Sequence, residues 1–449
     1  MTLILIEGNM TVKTFSELMR ICLSRHLVEY LITNDFPFFH WCQDLMNLTK
    51  CFNKQMTMHL YDTILSFVVF PLSSLHTLHV KRHRFIRNIL IDSTSFPYFY
   101  KCPNLIPLHI KRLEVVADIR QPVRKDMFPN SLTDLHFFNC DQILIEGVLP
   151  NSLKSLTFVN GFGSKYYRNH TQSLLPGVLP IGLTELDLGK DYDLSLSKGS
   201  LPDSLTKLKF GRYFTQTIKP NVLPLNIADL EFDDDWYSDA TVIPQLCPGS
   251  LPANLLRLKL GASFNQPLIK GLLPDTITHL TFKKSFNPWK LEPNMFPISL
   301  TYLEFGADFN PLTLDKGVFP LSLTHLKFGD EFGSFNCTPL FSEGCFPINL
   351  TKLEFGIYFK QDIEANVLPP NLKYLIFNSY YRLKPGILPQ GLTYLELVTD
   401  KNYQITTDTF PKNLTTLIYN GNNVQLSTLS TMTFCGRTYY EFPSKKKKY

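Results

Sequence analysis

Thirteen prolines preceded by Leu or Phe recur in one pattern along this chain, at Pro129, Pro150, Pro180, Pro202, Pro224, Pro252, Pro274, Pro297, Pro320, Pro347, Pro369, Pro389 and Pro411, and the commonest spacing is 22 residues. Three residues after each proline stands Leu or Ile, from Leu132 to Leu414, and six residues after each stands Leu, from Leu135 to Leu417. Eight residues after it stands Phe in nine copies, with Leu188, Leu260, Leu397 and Tyr419 in the others. A fixed period of this length is the signature of a repeat array and constrains the fold more than any other feature here. An earlier copy fits at Pro107, with Ile110, Leu113 and Val115, and a fainter one at Pro71, with Leu75, Leu78 and Val80.

The offsets specify the unit. Apolar residues six and eight after the proline, with a polar one between, have the two-residue period of a strand showing one face to a core. One short strand cannot bury its face alone, so copies must stack, with Leu and Phe forming internal columns. Strands joined in the same direction by crossovers are parallel. The anchor proline lacks a donor and belongs on the return path. The period is too short for a strand, two turns and a full helix, so the return is expected to be extended or a turn of 3₁₀ helix. Gly189, Gly211, Gly261, Gly306, Gly329 and Gly356 fit the sharp turn out of the sheet, and the Asn of Phe264-Asn265, Phe286-Asn287 and Phe309-Asn310 suits an interior ladder to neighbouring backbone. Three longer spacings predict protruding loops at about 160–175, 233–248 and 330–344.

Charge and motifs narrow the function. The net charge of +5 contains the four lysines Lys445, Lys446, Lys447 and Lys448, so the body is nearly neutral and has no global reason to bind nucleic acid. The basic tail reads as a solvated end or a nuclear address. Nine cysteines without a C-x-x-C pair suit a reducing compartment. The opening residues lack a signal peptide's pattern and no apolar run is long enough to span a membrane, so an intracellular, cytoplasmic protein is expected. No phosphate-loop, dinucleotide, zinc-protease or hydrolase motif occurs, and no Cys and His pair stands at ligand spacing, so no enzyme activity, catalytic residue, cofactor or metal is expected.

Residues 1 to about 100 lack the repeat. Between residues 15 and 55 apolar side chains recur at three- and four-residue spacing (Leu18, Ile21, Leu27, Tyr30, Leu31, then Leu45, Leu48, Phe52), which predicts short amphipathic helices. Such helices suit a cap on the open end of an array.

The order L-P-x-x-L-T-x-L-x-F-G-x-x-F-N closely resembles the FNIP repeat, a relative of the leucine-rich repeat found in families of social amoebae and giant DNA viruses. The resemblance implies a leucine-rich-repeat-like solenoid, a β-rich horseshoe of parallel strands with about 13–14 turns. The stretch Leu27-Val28-Glu29-Tyr30-Leu31, with Asp35 and the run from Leu45 to Lys54, resembles an F-box, whose helices dock on the Skp adaptor of cullin ubiquitin ligases. The family then implies a helical F-box-like domain over 1–60, a linker and degenerate first repeat over 61–106, the solenoid over 107–425, and a cap with a basic tail over 426–449. Leu27, Tyr30, Leu31, Leu45, Leu48 and Phe52 would bind the adaptor.

If the positions six and eight after proline point inward, those at five and seven face outward, on the surface that is concave and ligand-binding in leucine-rich repeats. From Glu185 to Lys259 these positions alternate in sign between copies, which predicts cross-strand charge pairing. From Tyr302 to Tyr394 they mix aromatics, His and charges, the composition of protein-binding hot spots. Tyr302, Glu304, His325, Lys327, Lys352, Glu354, Tyr374 and Tyr394 are the expected partner-binding residues. The function expected is a non-enzymatic adaptor, the substrate-recognition subunit of a Skp–cullin ligase, in a viral setting acting on host proteins. The alternative is a repeat scaffold without a ligase role. Neither reading includes a membrane.

Overall fold

A computed structural model describes residues 69–71, 87–102, 106–119, 121–140, 142–160, 162, 174–233, 245–334, 340–398 and 409–424. All belong to one compact unit, Val69–Tyr449; the other unit, Met1–Val68, lies outside the described residues. The described strands form one seventeen-stranded sheet. They are β1 (Val69–Pro71), β2 (Asn88–Ile91), β3 (Arg112–Ile119), β4 (Asp134–Cys140), β5 (Ser155–Asn160), β6 (Glu185–Asp187), β7 (Lys207–Phe210), β8 (Asp229–Phe232), β9 (Arg257–Leu260), β10 (His279–Phe282), β11 (Tyr302–Glu304), β12 (His325–Lys327), β13 (Lys352–Phe355), β14 (Tyr374–Tyr380), β15 (Tyr394–Val398), β16 (Thr416–Tyr419) and β17 (Asn422–Val424). Each strand from β1 to β15 pairs in parallel with its successor. Equivalent repeat positions face one another, as Tyr302, Leu303 and Glu304 face His325, Leu326 and Lys327. The expected parallel solenoid is therefore present, with the Leu and Phe columns in register.

The anchor proline builds the entry to each strand. Its carbonyl accepts the N–H of the residue three places on, as Leu132 to Pro129 (3.0 Å), Leu323 to Pro320 (3.1 Å) and Leu414 to Pro411 (3.1 Å). This closes a turn that has no use for the donor proline lacks. The next two N–H groups both donate to one carbonyl in the preceding repeat; those of Thr324 and His325 share the Thr301 oxygen, each at 3.0 Å. The threonine hydroxyl adds a third donor to the same oxygen. Thr324 Oγ1 reaches Thr301 O at 3.0 Å, Thr301 Oγ1 reaches Thr278 O at 3.1 Å, and Thr351 Oγ1 reaches Thr324 O at 3.0 Å. The recurrent Thr after the buried Leu is thus a stitch between repeats.

Inside, Leu303, Leu326 and Leu353 and the rings Phe305, Phe328 and Phe355 are buried. A second aromatic column, four residues beyond the first, stacks on it in seven repeats of the described residues. Phe305 and Phe309 lie 3.7 Å apart between centroids, as do Phe328 and Phe332, and successive repeats follow at 5.9 Å from Phe309 to Phe332. Tyr192, Phe214, Phe264, Phe286, Phe359 and Tyr381 continue this column, which the period-two reading of the strand does not reach. The return side carries turns, as expected; its exception is α1 (Phe96–Lys101), between β2 and β3, which buries Phe96 and Phe99. The expected asparagine ladder forms, from Asn265 Oδ1 to the Asn287 N–H (3.0 Å) and from Asn287 Oδ1 to the Asn310 N–H (2.8 Å), but Asn265 and Asn287 are exposed, so it laces the surface and not the interior.

Two details refine the sequence reading. Gly211, Gly306, Gly329 and Gly356 follow their strands without a left-handed backbone; they are required because a Cβ would strike backbone of the preceding repeat. The left-handed residue stands three places before the proline, where Gly147, Asn221, Gly271, Asn294, Gly317 and Asn366 have φ of 81°, 61°, 81°, 63°, 85° and 67°. At the other end, Asn420 and Gly421, with φ of 48° and 78°, turn the chain back so that β17 pairs antiparallel with β16. Two left-handed residues suit a tight hairpin. Near the start, Pro71 ends β1, pairing with Leu90, and so lies in the sheet; Leu75, Leu78 and Val80 of the copy placed there lie outside the described residues.

Candidate protein-binding face

The alternation of the strands presents every second side chain away from the core. Tyr302 and Glu304 on β11, His325 and Lys327 on β12, Lys352 and Glu354 on β13, Tyr374 on β14 and Tyr394 on β15 all stand on this outer sheet face, half-buried or exposed, beside buried Leu303, Leu326, Leu353, Leu375 and Leu395. Leu27, Tyr30, Leu31, Leu45, Leu48, Phe52 and the four terminal lysines lie outside the described residues, as do the tips of the three insertions.

Cross-strand pairing organises the first half of the face. Arg257 Nε lies 3.1 Å from Asp229, and Lys259 Nζ lies 2.8 Å from Glu231, each joining β9 to β8. Just past β8, Asp233 takes both Lys209 (2.8 Å) and Lys283. Burial opposes ionisation of Asp233, but the hydrogen bonds from Lys209 and Lys283 win and hold its pKa down at about 2. Burial with the loss of water pushes the Asp187 carboxyl the other way, upward, although it accepts the Gly189 N–H at 2.9 Å. Asp187 faces Lys209 in register, yet the Lys209 ammonium bonds Asp233. The alternating signs therefore stitch β8 to β9, each exposed pair contributing about 0–1 kcal/mol, while among the described residues Glu185, Asp187 and Lys207 face opposite charges in register without forming ion pairs.

The second half is built differently. Glu304 accepts Lys327 at 2.8 Å and the Tyr302 hydroxyl at 2.9 Å. Burial and this bond to a carboxylate both raise the Tyr302 pKa, so the phenol stays protonated. Tyr394 repeats the arrangement, donating to Glu396 at 3.0 Å. The Tyr302 ring lies between His279, stacked at 5.7 Å, and His325 at 6.4 Å, while Tyr374 and Tyr394 meet at 5.7 Å. His279 is a member of this row that the spacing of the hot-spot stretch did not include; its place beside Tyr302 follows from the register of β10 and β11. Lys352 sits between His325 and Tyr374 in register, and among the described residues no carboxylate lies within ion-pair distance of it. The face thus offers rings held upright by neighbours, with a cation set among them. Rigid, partly desolvated aromatics are the side chains that protein partners use as anchors.

Among the described residues no group of three or more His, Cys, Asp or Glu side chains converges to hold a metal ion, and no helix is long and apolar enough to cross a membrane.

The family model described as "FNIP Repeat" matches residues 120–161, 169–213, 192–235, 245–285, 286–331, 335–380 and 382–420. Among solved structures, a circular leucine-rich-repeat protein, CroV588, is 35% identical over 70% of this chain with a TM-score of 0.60. The chain spans only 44% of the length of that protein. YopM from Yersinia enterocolitica WA-314 is 18% identical over 70% of this chain and 74% of its own, at a TM-score of 0.30 that carries no weight. Among curated proteins none matches the chain.

Proposed function

This chain belongs to the FNIP repeat family, and from that premise we propose that it is a non-enzymatic adaptor that binds a protein on the outer sheet face of its solenoid and recruits a Skp–cullin ubiquitin ligase through its amino-terminal segment. A leucine-rich-repeat-like scaffold is suited to protein binding. The observation that carries the proposal is the row of upright rings on the face, His279, Tyr302, His325, Tyr374 and Tyr394, standing in register on adjacent strands with Lys352 among them. The charge stitching of Asp229, Arg257, Glu231 and Lys259 recurs in Glu304 and Lys327, but Lys352, Tyr374 and His325 form no ion pair among the described residues, unlike a face kept only for stability. The ligase half of the proposal is supported by the F-box-like residues Leu27, Tyr30, Leu31, Leu45, Leu48 and Phe52.

Affinity capture from a suitable host cell separates the two halves. The full chain should bring down a Skp-type adaptor, a cullin and a substrate, while a chain lacking residues 27–52 should keep the substrate and lose the ligase. Tyr374→Ala with Tyr394→Ala should do the reverse. If the full chain brings down no adaptor or cullin, the ligase role fails and the repeat scaffold alone remains; if the tyrosine substitutions leave every captured protein in place, the face reading fails.

A further inference from the structure

Two histidines on the outer sheet face are tied at Nδ1 to the threonine stitch behind them. Thr324 Oγ1 lies 3.0 Å from the Thr301 carbonyl and 2.9 Å from His325 Nδ1. The Thr301 oxygen already accepts the N–H groups of Thr324 and His325, so the hydroxyl and the imidazole share the proton of the Nδ1 contact in either sense. The contact occupies Nδ1, and once the ring is protonated Nε2 carries an N–H to offer a ligand whichever tautomer the neutral ring holds. Thr278 repeats the device, with Oγ1 at 3.1 Å from the Leu256 carbonyl and at 3.0 Å from His279 Nδ1. Both rings are exposed on the face, on either side of Tyr302.

The charges around them are balanced. His325 is flanked by Tyr302 and Glu304 from β11, by Lys327 on its own strand, and by Lys352 and Glu354 from β13. His279 is flanked by Arg257 and Lys259 from β9, which are paired to Asp229 and Glu231, and by Tyr302 and Glu304 from β11. Glu304 is taken by Lys327 and Tyr302, and Glu354 accepts the Asn378 amide at 3.2 Å. The two lysines of β12 and β13 offset the two glutamates of β11 and β13. Each proton gained by His279 or His325 therefore adds a net positive charge to this patch, beside an ammonium, Lys352, that has no partner among the described residues.

We propose that His279, Tyr302, His325 and Lys352 form a recognition site for a carboxylate-bearing segment of an acidic protein partner, and that this site closes on its ligand by taking up protons at the two imidazoles. The proposal rests on the reading that the face binds protein and names the chemistry of what it binds. Loss of water on burial, then Lys352, then His279 lower the His325 pKa, so the empty site is neutral there near pH 7. An arriving carboxylate reverses the effect of Lys352 and favours the proton, so binding and protonation are linked. Affinity must then rise as pH falls from 8 toward 6.

The probe is capped hexaglutamate, titrated into the full chain at pH 8 and pH 6 in low salt, with capped hexalysine as the control and the histidine signals followed by NMR. Hexaglutamate should bind about tenfold more tightly at pH 6, shifting His279 and His325, while hexalysine shifts neither. His279→Gln with His325→Gln should abolish the pH dependence, and Lys352→Gln should weaken binding at both values. Equal affinity at the two pH values, equal binding of hexalysine, or a pH dependence that survives the double substitution would each overturn the site. A captured partner lost with Tyr374→Ala and Tyr394→Ala but held equally at every pH by the double histidine variant would sink this inference and leave the face reading intact.

Discussion

A Cβ on Gly329 would sit 1.8 Å from the carbonyl oxygen of Gly306 in the preceding repeat, and one on Gly271 would meet nothing within 4 Å. The two glycines therefore serve different ends. Gly329 permits one backbone to approach another, whereas Gly271, at φ of 81°, permits a left-handed corner. Gly329→Ala should cost about 1–3 kcal/mol by forcing repeats apart, and Gly271→Ala about 1–2 kcal/mol through its backbone conformation alone. Gly271→Asn should be milder, since Asn294 and Asn366 already hold that corner in other repeats; urea denaturation of the three variants checks the order. Charge adds a second prediction at this scale. Asp233 has its pKa held at about 2 in the fold, below the ordinary carboxylate value, so its contribution is present above about pH 4 and is lost as pH falls toward 2. Being a third exposed, it is worth about 1 kcal/mol after screening. Asp233→Asn should remove that portion of the acid unfolding profile and leave the melting temperature at pH 3 closer to that of the parent than at pH 7.

A single strand with its turn is the element this chain repeats. Leu326 is buried on β12 and Lys327 is half-buried on the outer face. Leu326→Ala should cost about 2–5 kcal/mol by opening a cavity in the leucine column, while Lys327→Ala should cost less than about 1 kcal/mol with its ion pair to Glu304; thermal melts that moved equally would contradict the facing of the strands. That facing is legible in the amino-acid sequence, because Leu and Phe at two-residue spacing identify the buried side and the prolines fix the phase. The second aromatic column, with Phe309 and Phe332, is legible as the recurrent Phe after the turn, but its burial is not, because no strand or helix period carries it there. The left-handed corner is visible as Gly, Asn or Asp three residues before each proline, and the closing hairpin as Asn420-Gly421. Both are local turn signals that the stronger repeat masks. On the face, alternating signs foretell Arg257 with Asp229 and Lys259 with Glu231, since register alone makes them neighbours. The contacts of His279 and His325 with Thr278 and Thr324 cannot be read this way, because they join side chains one residue apart across the end of a turn.

At the scale of the whole solenoid, stability is a sum over repeats and the surfaces between them, since each strand pairs only with its neighbours. Removal of one complete turn should then be far less damaging than removal of half a turn. Deleting residues 298–320 joins Pro297 to Leu321 and keeps the phase: Leu321 takes the place of Ile298, and Leu326 follows the proline at the offset that Leu303 had. Phe282 and Phe286 would stack on Phe328 and Phe332, rings of the same kind as Phe305 and Phe309. Deleting 298–308 instead leaves a stub of a return path, with no strand between Pro297 and Asp315, and places an unpaired step in every internal column. The first variant should retain the circular dichroism of the parent with a lowered unfolding midpoint, and the second should unfold in two separated transitions, one for the repeats on each side of the break. The full-turn deletion would also bring His279 directly beside His325 and remove Tyr302 and Glu304, leaving Lys327 without its carboxylate. Capped hexaglutamate should bind that shortened chain more weakly than the parent at pH 6, because the Tyr302 ring of the site is gone and the two imidazoles, now neighbours, oppose each other's protonation. Equal or tighter binding with an intact fold would remove Tyr302 from the site.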